Sequence, residues 1–195
     1  MPKIVDHAQR RTEIIHALWA VIYERGIHAV TYQAVARAAG ISVGRIQHYF
    51  SSKQELVHAG CRAIVETAAD AHQERTESLD PTEALAELLI ASIPRNEAFR
   101  LGMAVWYAYL AQATADPRIE EIIGDASRGT LERAASLLRS AGMPEREAPR
   151  LVALGNGLAQ SVLIGTLTPD HATSTLRNEL STLRAEKGRS AADAG

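Results

Sequence analysis

The sequence predicts an all-α protein with about nine helices, in which a small N-terminal head of three helices precedes a larger helical body. Apolar residues recur at the spacing of helical turns through most of the 195 residues, and no segment alternates like an exposed strand. Ala and Leu, which favour helices, are abundant, while aromatic residues make up only 5% of the chain. Asp-Pro and Thr-Pro pairs mark several helix starts, so the helices can be assigned in order.

The head is expected to contain one longer helix and two short ones. The first helix runs from about residue 6 to residue 25, and Gly26 closes it because a residue without Cβ tolerates a left-handed conformation. Two short helices follow over residues 32–39 and 43–49, joined by a tight turn. Together they predict a helix-turn-helix. The buried side of the first helix consists of Ile14, Ala17, Leu18, Val21 and Ile22.

Capping residues define the two short helices. Thr31 and Ser42 precede them, and each hydroxyl can accept from a free N–H group of the first helical turn. Gly40 ends the first of the two because it can enter the left-handed region at little cost. The apolar residues that point inward are Val35, Ala36, Ala39, Ile46 and Phe50.

Six further helices are expected in the body. Their predicted ranges are 53 to 74–77, 81–93, 97–114, 117–142, 145–167 and 169–183. Residues 184–195 are small and polar without an apolar pattern, and we predict that they are disordered.

Charge and composition limit the possible classes of protein. Residues 1–60 carry seven Lys/Arg and four Asp/Glu, a charge of +3, whereas residues 61–195 carry −5. A basic head on an acidic body fits a protein that meets phosphates with one end. No N-terminal signal peptide and no membrane-spanning run is predicted, and the single cysteine, Cys61, cannot form an internal disulfide. We expect a soluble cytoplasmic protein.

The exposed side of the second short helix has the chemistry of a DNA-binding surface. Arg45 can bridge the O6 and N7 atoms of guanine, while Gln47 can pair with adenine or contact phosphate. His48 can donate to either a base or a phosphate, and Gly44 permits a close approach of the backbone to the duplex. A short helix with donors outside and apolar anchors inside suits the major groove.

This pattern resembles the tetracycline-repressor (TetR) family over about residues 8–58. The shared positions are Thr31–Tyr32, Val35–Ala36, Ala39–Gly40, Ser42, Gly44, His48–Tyr49–Phe50, Lys53 and Leu56, preceded by Ile14, Ala17, Leu18 and Gly26. The resemblance implies nine helices, a double-stranded DNA operator, a small-molecule effector and a homodimer. With the resemblance, the chain is expected to divide into a DNA-binding head over residues 1–52 and a ligand-binding and dimerisation domain over 53–183, followed by the tail that composition predicts over 184–195.

The resemblance extends the set of predicted DNA-binding residues. Thr31, Tyr32, Tyr49 and Lys53 would contact phosphates beside the groove, although Tyr49 could instead pack against the first helix. Many family members have an aromatic residue where this chain has Gln47, so the role of that position stays open. The whole predicted set is Thr31, Tyr32, Ser42, Gly44, Arg45, Gln47, His48, Tyr49 and Lys53.

A candidate effector pocket centres on the sixth helix, whose apolar stripe consists of Phe99, Met103, Trp106 and Leu110. The stripe could equally be ordinary core. The polar pair Asn156 and Gln160, one turn apart, favours a pocket, since apolar pockets with a few polar groups bind small molecules. The body is weakly similar to the choline-responsive BetI-type branch, and a Trp could hold a quaternary ammonium group. The predicted lining is Cys61, Val65, Leu89, Phe99, Met103, Trp106, Tyr107, Leu110, Asn156 and Gln160.

The last two helices are the expected dimer interface. Their apolar faces resemble those that form a four-helix interface in the family, and a two-fold dimer would contact two operator half-sites. The predicted interface residues are Leu151, Leu154, Leu158, Val162, Leu176 and Leu180.

Two other classes of function deserve comparison with DNA binding. Glu55, His58 and Cys61 have a spacing compatible with metal ligation, but no second cysteine or histidine cluster accompanies them. No nucleophile motif is present, so we predict no enzyme, no catalytic residues, no metal and no cofactor. The leading hypothesis is a DNA-binding repressor that a small molecule releases from its operator. The alternative is a helical ligand-binding or enzymatic protein with an unused helix-turn-helix.

Overall fold

The computed structural model describes the backbone of residues 3–192 and the side chains of residues 7–185. Within that part of the chain it contains nine α-helices, two short 3₁₀ turns and no strand, which confirms the predicted fold class. The helices are α1 (Lys3–Arg25), α2 (Tyr32–Ala39), α3 (Val43–Tyr49), α4 (Lys53–Thr76), α5 (Pro81–Ile90), α6 (Glu97–Gln112), α7 (Pro117–Ser140), α8 (Ala148–Leu163) and α9 (Pro169–Ala192).

The predicted caps form at the ends of the short helices. Thr31 Oγ1 accepts from the Ala34 N–H at 3.1 Å, and Ser42 Oγ accepts from the Arg45 N–H at 3.3 Å. Gly40 adopts a left-handed conformation with φ of 65° and ends α2. These local bonds explain why the bounds of α2 and α3 match the expected ranges.

The later helices differ from the expectation at their ends. α8 stops at Leu163, because the chain turns at Gly165 with φ of 80°. α9 continues to Ala192, so most of the segment 184–195 is helical where disorder was expected; residues 193–195 lie outside the described residues. Leu183 is the last buried apolar residue of α9 among the side chains described, which end at residue 185, and Ala, Arg, Glu and Lys in the sequence that follows favour a helical backbone.

The helices divide into two compact units. The head unit comprises residues 1–67 and 101–124, and the body unit comprises residues 68–100 and 125–195. The predicted DNA-binding region over residues 1–52 lies within the head unit, which also includes α4 as far as Thr67, most of α6 and the start of α7.

Two buried hydrogen bonds explain why α4 packs with the head unit. Trp19 Nε1 of α1 donates to the Gly60 carbonyl at 3.1 Å, and the Tyr109 hydroxyl of α6 donates to the Val57 carbonyl at 3.1 Å. Both donors are in the apolar core of the head unit and would otherwise be unsatisfied.

The core of the body unit is formed by α5, α7, α8 and α9. A close approach joins α5 to α8, since a Cβ built on Gly155 would lie 3.3 Å from the Leu89 carbonyl oxygen. The fully buried leucines of this core are Leu85, Leu138, Leu151 and Leu176. None of the described helices has the length and apolar content that a membrane crossing requires.

Candidate nucleic-acid interface

α3 separates polar from apolar side chains in the way that a DNA-contacting helix requires. Ile46 and Phe50 are fully buried in the head unit, whereas Arg45, Gln47 and His48 are exposed. Gly44 is also exposed, and nothing lies within 4 Å of a Cβ built on it. The side of α3 that could enter a groove therefore presents only polar groups and one glycine.

Other predicted DNA-binding residues surround this surface. Thr31 and Ser42 are exposed at the N-termini of α2 and α3, where their hydroxyls serve as caps. Lys53 is exposed at the start of α4, beside the Ser52 cap that accepts from the Glu55 N–H at 3.0 Å. The three residues lie at helix N-termini, which favour contact with phosphate groups.

Tyr32 and Tyr49 are more strongly tied to the protein than the other predicted residues. Tyr32 is half-buried and its hydroxyl donates to the Phe50 carbonyl at 3.0 Å, so a phosphate would compete for that proton. The Tyr49 ring lies 4.6 Å from the ring of His7 of α1. Packing against the first helix, the alternative considered for Tyr49, is therefore present.

Arg11 is an important positioning residue that sequence reasoning did not find. Its guanidinium donates to the Tyr49 carbonyl at 2.8 Å and lies 4.2 Å from the centroid of the Phe50 ring. The same group is 3.7 Å from a Glu55 carboxylate oxygen. Arg11 thus joins α1 to the C-terminus of α3 and the N-terminus of α4. Only its position one turn before the apolar face of α1 could have indicated this role.

The Glu55 carboxylate is stabilised in its charged form. Hydrogen bonds from the hydroxyl and backbone N–H of Ser51, at 2.6 and 2.7 Å, hold the pKa of Glu55 below its ordinary value, and Arg11 adds to the effect. The pKa of Tyr32 is raised, first by burial and then by the Glu55 charge. The Glu55 carboxylate therefore caps the N-terminus of α4, and its contacts with Ser51 and Arg11 leave it unavailable as a metal ligand.

The other two residues of the considered metal constellation also have different surroundings. Burial raises the pKa of the Cys61 thiol to about 12, so the thiol is neutral. His58 Nε2 lies 2.8 Å from Asp116 Oδ2, and Asp116 Oδ1 accepts from the Arg118 and Ile119 N–H groups. Among the described residues no three potential metal ligands cluster together.

The predicted effector residues are distributed over both units. Cys61, Val65, Met103, Trp106, Tyr107 and Leu110 belong to the head unit, and Leu89, Phe99, Asn156 and Gln160 belong to the body unit. Cys61 and Leu89 are buried in the two separate cores, and Leu110, Asn156 and Gln160 are exposed.

The stripe on α6 is not the buried face of that helix. Phe99, Met103 and Trp106 are half-buried, whereas Val105 and Tyr109 are fully buried. The core side of α6 is therefore rotated away from the stripe, because Tyr109 supplies both apolar area and a hydrogen bond to α4. The stripe is therefore only partly buried, with Trp106 packed against the core of the head unit, and a pocket at this position stays a prediction.

Four of the six predicted dimer residues are buried within the single chain. Leu151, Val162, Leu176 and Leu180 lie in the core of their own body unit, with at most 5% exposure. They cannot form a surface, because α8 and α9 turn their strongest apolar faces toward α5. The two remaining predicted residues, Leu154 and Leu158, are half-buried.

Comparison with known proteins agrees with this architecture. The family model for bacterial regulatory proteins of the tetR family matches residues 14–59, and that for the BetI-type transcriptional repressor C-terminal region matches residues 81–185. The chain is 32% identical over 175 residues to the HTH-type transcriptional regulator PksA of Bacillus subtilis, covering 84% of this chain and 83% of that protein. It is 31% identical over 170 residues to the regulator BetI of Escherichia coli, covering 86% and 84%.

Solved structures that superpose on this chain are also transcriptional regulators. A transcriptional regulator from Saccharomonospora viridis, in complex with choline, superposes with a TM-score of 0.82 at 26% identity, covering 89% of this chain and 96% of that one. A regulator from Rhodococcus superposes with a TM-score of 0.81 at 25% identity, covering 89% and 95%. The relatives are regulators and not enzymes, so the alternative of an enzyme with an unused helix-turn-helix is not favoured. This chain belongs to the TetR family, with a BetI-type C-terminal region, and is a DNA-binding transcriptional regulator.

Proposed function

We propose that this regulator is a repressor that binds an operator as a homodimer and leaves it when a small molecule binds. The observation that carries the DNA-binding part is the surface of α3, where Arg45, Gln47 and His48 are exposed around Gly44 while Ile46 and Phe50 anchor the helix. Because it acts on chromosomal DNA, we place the protein in the cytoplasm.

Each exposed residue is assigned a distinct contact. Arg45 pairs with guanine in the major groove, and Gln47 and His48 contact neighbouring bases or phosphates. Thr31, Ser42 and Lys53 contact the flanking phosphates and set the register of α3. Tyr49 acts mainly by packing on His7, and Tyr32 by its bond to Phe50.

The effector part of the proposal rests on α4 and on the family. α4 is one continuous helix whose N-terminal part belongs to the head unit and whose C-terminal part belongs to the body unit. A ligand that displaces the C-terminal part would therefore displace Lys53 at the other end. A difference in operator affinity of about 1–3 kcal/mol is enough for a switch. The solved relative from Saccharomonospora holds choline, which supports a small-molecule effector in general.

The dimer would use the outward side of α8 and the neighbouring face of α9. Ala153, Gly157 and Gln160 are exposed there, and Leu154 and Leu158 are half-buried beside them. A Cβ built on Gly157 has nothing within 4 Å, so a partner helix could approach closely. Ile164, at the end of α8, is 66% exposed.

The proposal is tested by titrating a fluorescent duplex from the protein's own promoter region with the full chain. We expect binding to weaken steeply with salt and to exceed binding to a scrambled duplex by roughly 10³-fold or more. Equal affinity for the two duplexes would contradict the proposal. Transcription from the same promoter in a reporter strain, with and without the gene, distinguishes repression from activation.

A further inference from the structure

Three basic side chains of the body unit lie near one another, and none of them is in an ion pair with another residue that the structure describes. His72 and Arg75 are on the last turns of α4, and Arg133 is on α7. Both arginines are close enough to His72 for their charges to disfavour its protonation. Among the described residues, neither Arg75, which is half-buried, nor Arg133, which is exposed, has an ion-pair partner within 4 Å.

Three nitrogen atoms of this cluster are also buried without a hydrogen-bond partner. They are His72 Nδ1, His72 Nε2 and Arg75 Nε. Buried polar groups are nearly always satisfied, and leaving one unsatisfied is unfavourable, more so for a charged group. The acid that faces His72 is Glu87 of α5, but this carboxylate is 3.7 Å from Arg177 and pairs with it. Arg75 Nε and the N–H of the neutral His72 ring are therefore buried donors that no acceptor of the described chain satisfies.

The same unit is poorly suited to a quaternary ammonium ligand such as choline. Recognition of that group uses a cage of aromatic rings. Phe99 is the only Phe, Trp or Tyr in residues 68–100 and 125–195, and the Arg95 guanidinium lies 5.4 Å from the centroid of its ring. A cation would thus meet positive charge both at Phe99 and at the α4–α7 cluster.

We infer that His72, Arg75 and Arg133 bind an anionic group of the effector, such as a carboxylate, phosphate or sulfate. This inference rests on the proposed function, in that it assigns a chemistry to the small molecule that the repressor senses. Each guanidinium can donate two parallel bonds to oxygen atoms of one anion, and His72 can donate a further one. The bound anion supplies the acceptors that the protein lacks at this position.

The location gives the anion a route to the DNA-binding head. His72 and Arg75 are on the same continuous helix as Lys53 and the buried anchor Leu56. An anion that draws Arg75 and Arg133 together moves the C-terminal part of α4 relative to α7. Occupation of the cluster and displacement of the helix are then one event.

Binding is also expected to draw a proton onto His72. Burial, and then the charges of Arg75 and Arg133, lower the pKa of His72, while Glu87 opposes this. An anion offsets the two arginine charges, so the pKa of His72 rises in the complex and anion affinity increases as the pH falls toward the ordinary range of histidine.

The test uses the full chain without DNA and sodium sulfate as the probe. The His72 ring resonances are followed by NMR, with sodium chloride at equal ionic strength as the reference. We expect saturable shifts that indicate protonation of His72, and binding weakened about tenfold or more in Arg75→Gln and Arg133→Gln, because each loses a charge-assisted bond. Arg146→Gln, which removes an exposed charge elsewhere in the body unit, should bind sulfate like the parent.

A charge-preserving double variant, Arg75→Lys with Arg133→Lys, separates binding from folding. It should retain most of the sulfate response. Shifts equal to those in chloride would overturn the inference, and so would equal sulfate affinity in Arg133→Gln and Arg146→Gln. Saturable shifts of the same His72 resonances on addition of choline chloride would overturn it as well. Operator affinity of the same samples tests the proposed function independently, since no DNA enters the sulfate measurement.

Discussion

At the scale of single residues, Arg45 should determine part of the sequence preference. Its side chain is exposed on α3 while its own N–H is held by the Ser42 cap. Replacement by Ala should cost roughly 1–3 kcal/mol of operator binding and relax the preference at one base pair. Competition titrations against a set of single-base operator variants measure this. Unchanged operator affinity and an unchanged base preference would exclude Arg45 as a base contact.

Lys53 should behave differently from Arg45. It is exposed at the N-terminus of α4, where it can reach a phosphate but carries no information on sequence. Lys53→Ala should weaken binding to operator and scrambled duplexes by similar factors, and reduce the salt slope by about one phosphate contact. A loss confined to the operator would contradict this role. Arg45→Ala serves as the contrasting variant in the same salt series.

Asp116 provides a residue-scale test through pH. Burial alone would raise its pKa, but bonds from His58 and the α7 N–H groups prevail and lower the pKa below the ordinary 3.8. As the pH falls, the Asp116 carboxylate therefore binds a proton in the unfolded state before it does so in the folded state. The stabilisation is present above the unfolded pKa, about pH 4, and is lost as the pH falls through the folded pKa.

Asp116→Asn keeps the cap but removes the charge. It should lower the free energy of unfolding at pH 7 by about 1 kcal/mol, because partial exposure weakens a charge-assisted bond. Urea unfolding at several pH values measures the difference, which should shrink below about pH 4. A difference that stays constant down to pH 3 would show that the effect is not electrostatic.

At the scale of elements, the packing of α4 depends on Gly60. A Cβ there would lie 2.4 Å from Leu18 Cδ2 and 2.5 Å from the Tyr109 hydroxyl oxygen. Both neighbours are fully buried and cannot move easily, so Gly60→Ala should destabilise the protein by about 1–3 kcal/mol. A Cβ built on Gly102 of α6 has nothing within 4 Å, and Gly102→Ala should instead stabilise by about 0.5–1 kcal/mol. Thermal unfolding of the two variants measures the change in stability, and equal changes in Gly60→Ala and Gly102→Ala would contradict the packing argument.

α3 allows folding and DNA binding to be separated at one position. Gly44 has no neighbour within 4 Å of an added Cβ, so Gly44→Ala should fold at least as stably as the parent. If the α3 backbone approaches the duplex closely, the added methyl group should weaken operator binding by several-fold or more. Unfolding and duplex titration on one sample measure both effects. Parental operator affinity would mean that α3 does not approach the DNA at Gly44.

How much of each element could be predicted depended on whether local bonds or tertiary packing defined it. The bounds of α2 and α3 follow from their caps, Thr31, Gly40 and Ser42, which act within a few residues of chain. The core face of α6 could not be found from apolar spacing, because the hydroxyl of Tyr109 requires a carbonyl on α4. Arg11 was missed for the same reason, since its three partners lie on α3, just after α3 and on α4.

At the scale of the whole molecule, the sequence indicated a head and a body but not which helices pack in each of them. The helix-turn-helix ends near residue 52, yet α4 as far as Thr67 packs with it. Apolar faces of α8 and α9 were expected to meet a partner, whereas Leu151 and Leu176 pack within one chain. Periodicity identifies an apolar face without specifying which surface covers it, and only the fold distinguishes the two cases.

The proposed dimer interface is therefore tested by a substitution on the outward side of α8. Gly157 is exposed and has space for a side chain in the single chain, so Gly157→Glu should fold normally and even gain helix propensity. In a close helix pair the same side chain would collide with the partner and bury a charge. We expect the variant to sediment as a monomer while the parent is a dimer.

Loss of the dimer should carry over to the operator. A monomer contacts one half-site, so operator affinity should fall roughly 100-fold or more, while the affinity for an isolated half-site stays the same. Gly129→Glu, at an exposed glycine of α7 with equal space, is the matched control and should remain dimeric. Analytical ultracentrifugation and titration of full and half operators measure the two variants. If Gly157→Glu stays dimeric with full operator affinity, the dimer uses a different surface, because a charge at the centre of a close helix pair could not be accommodated.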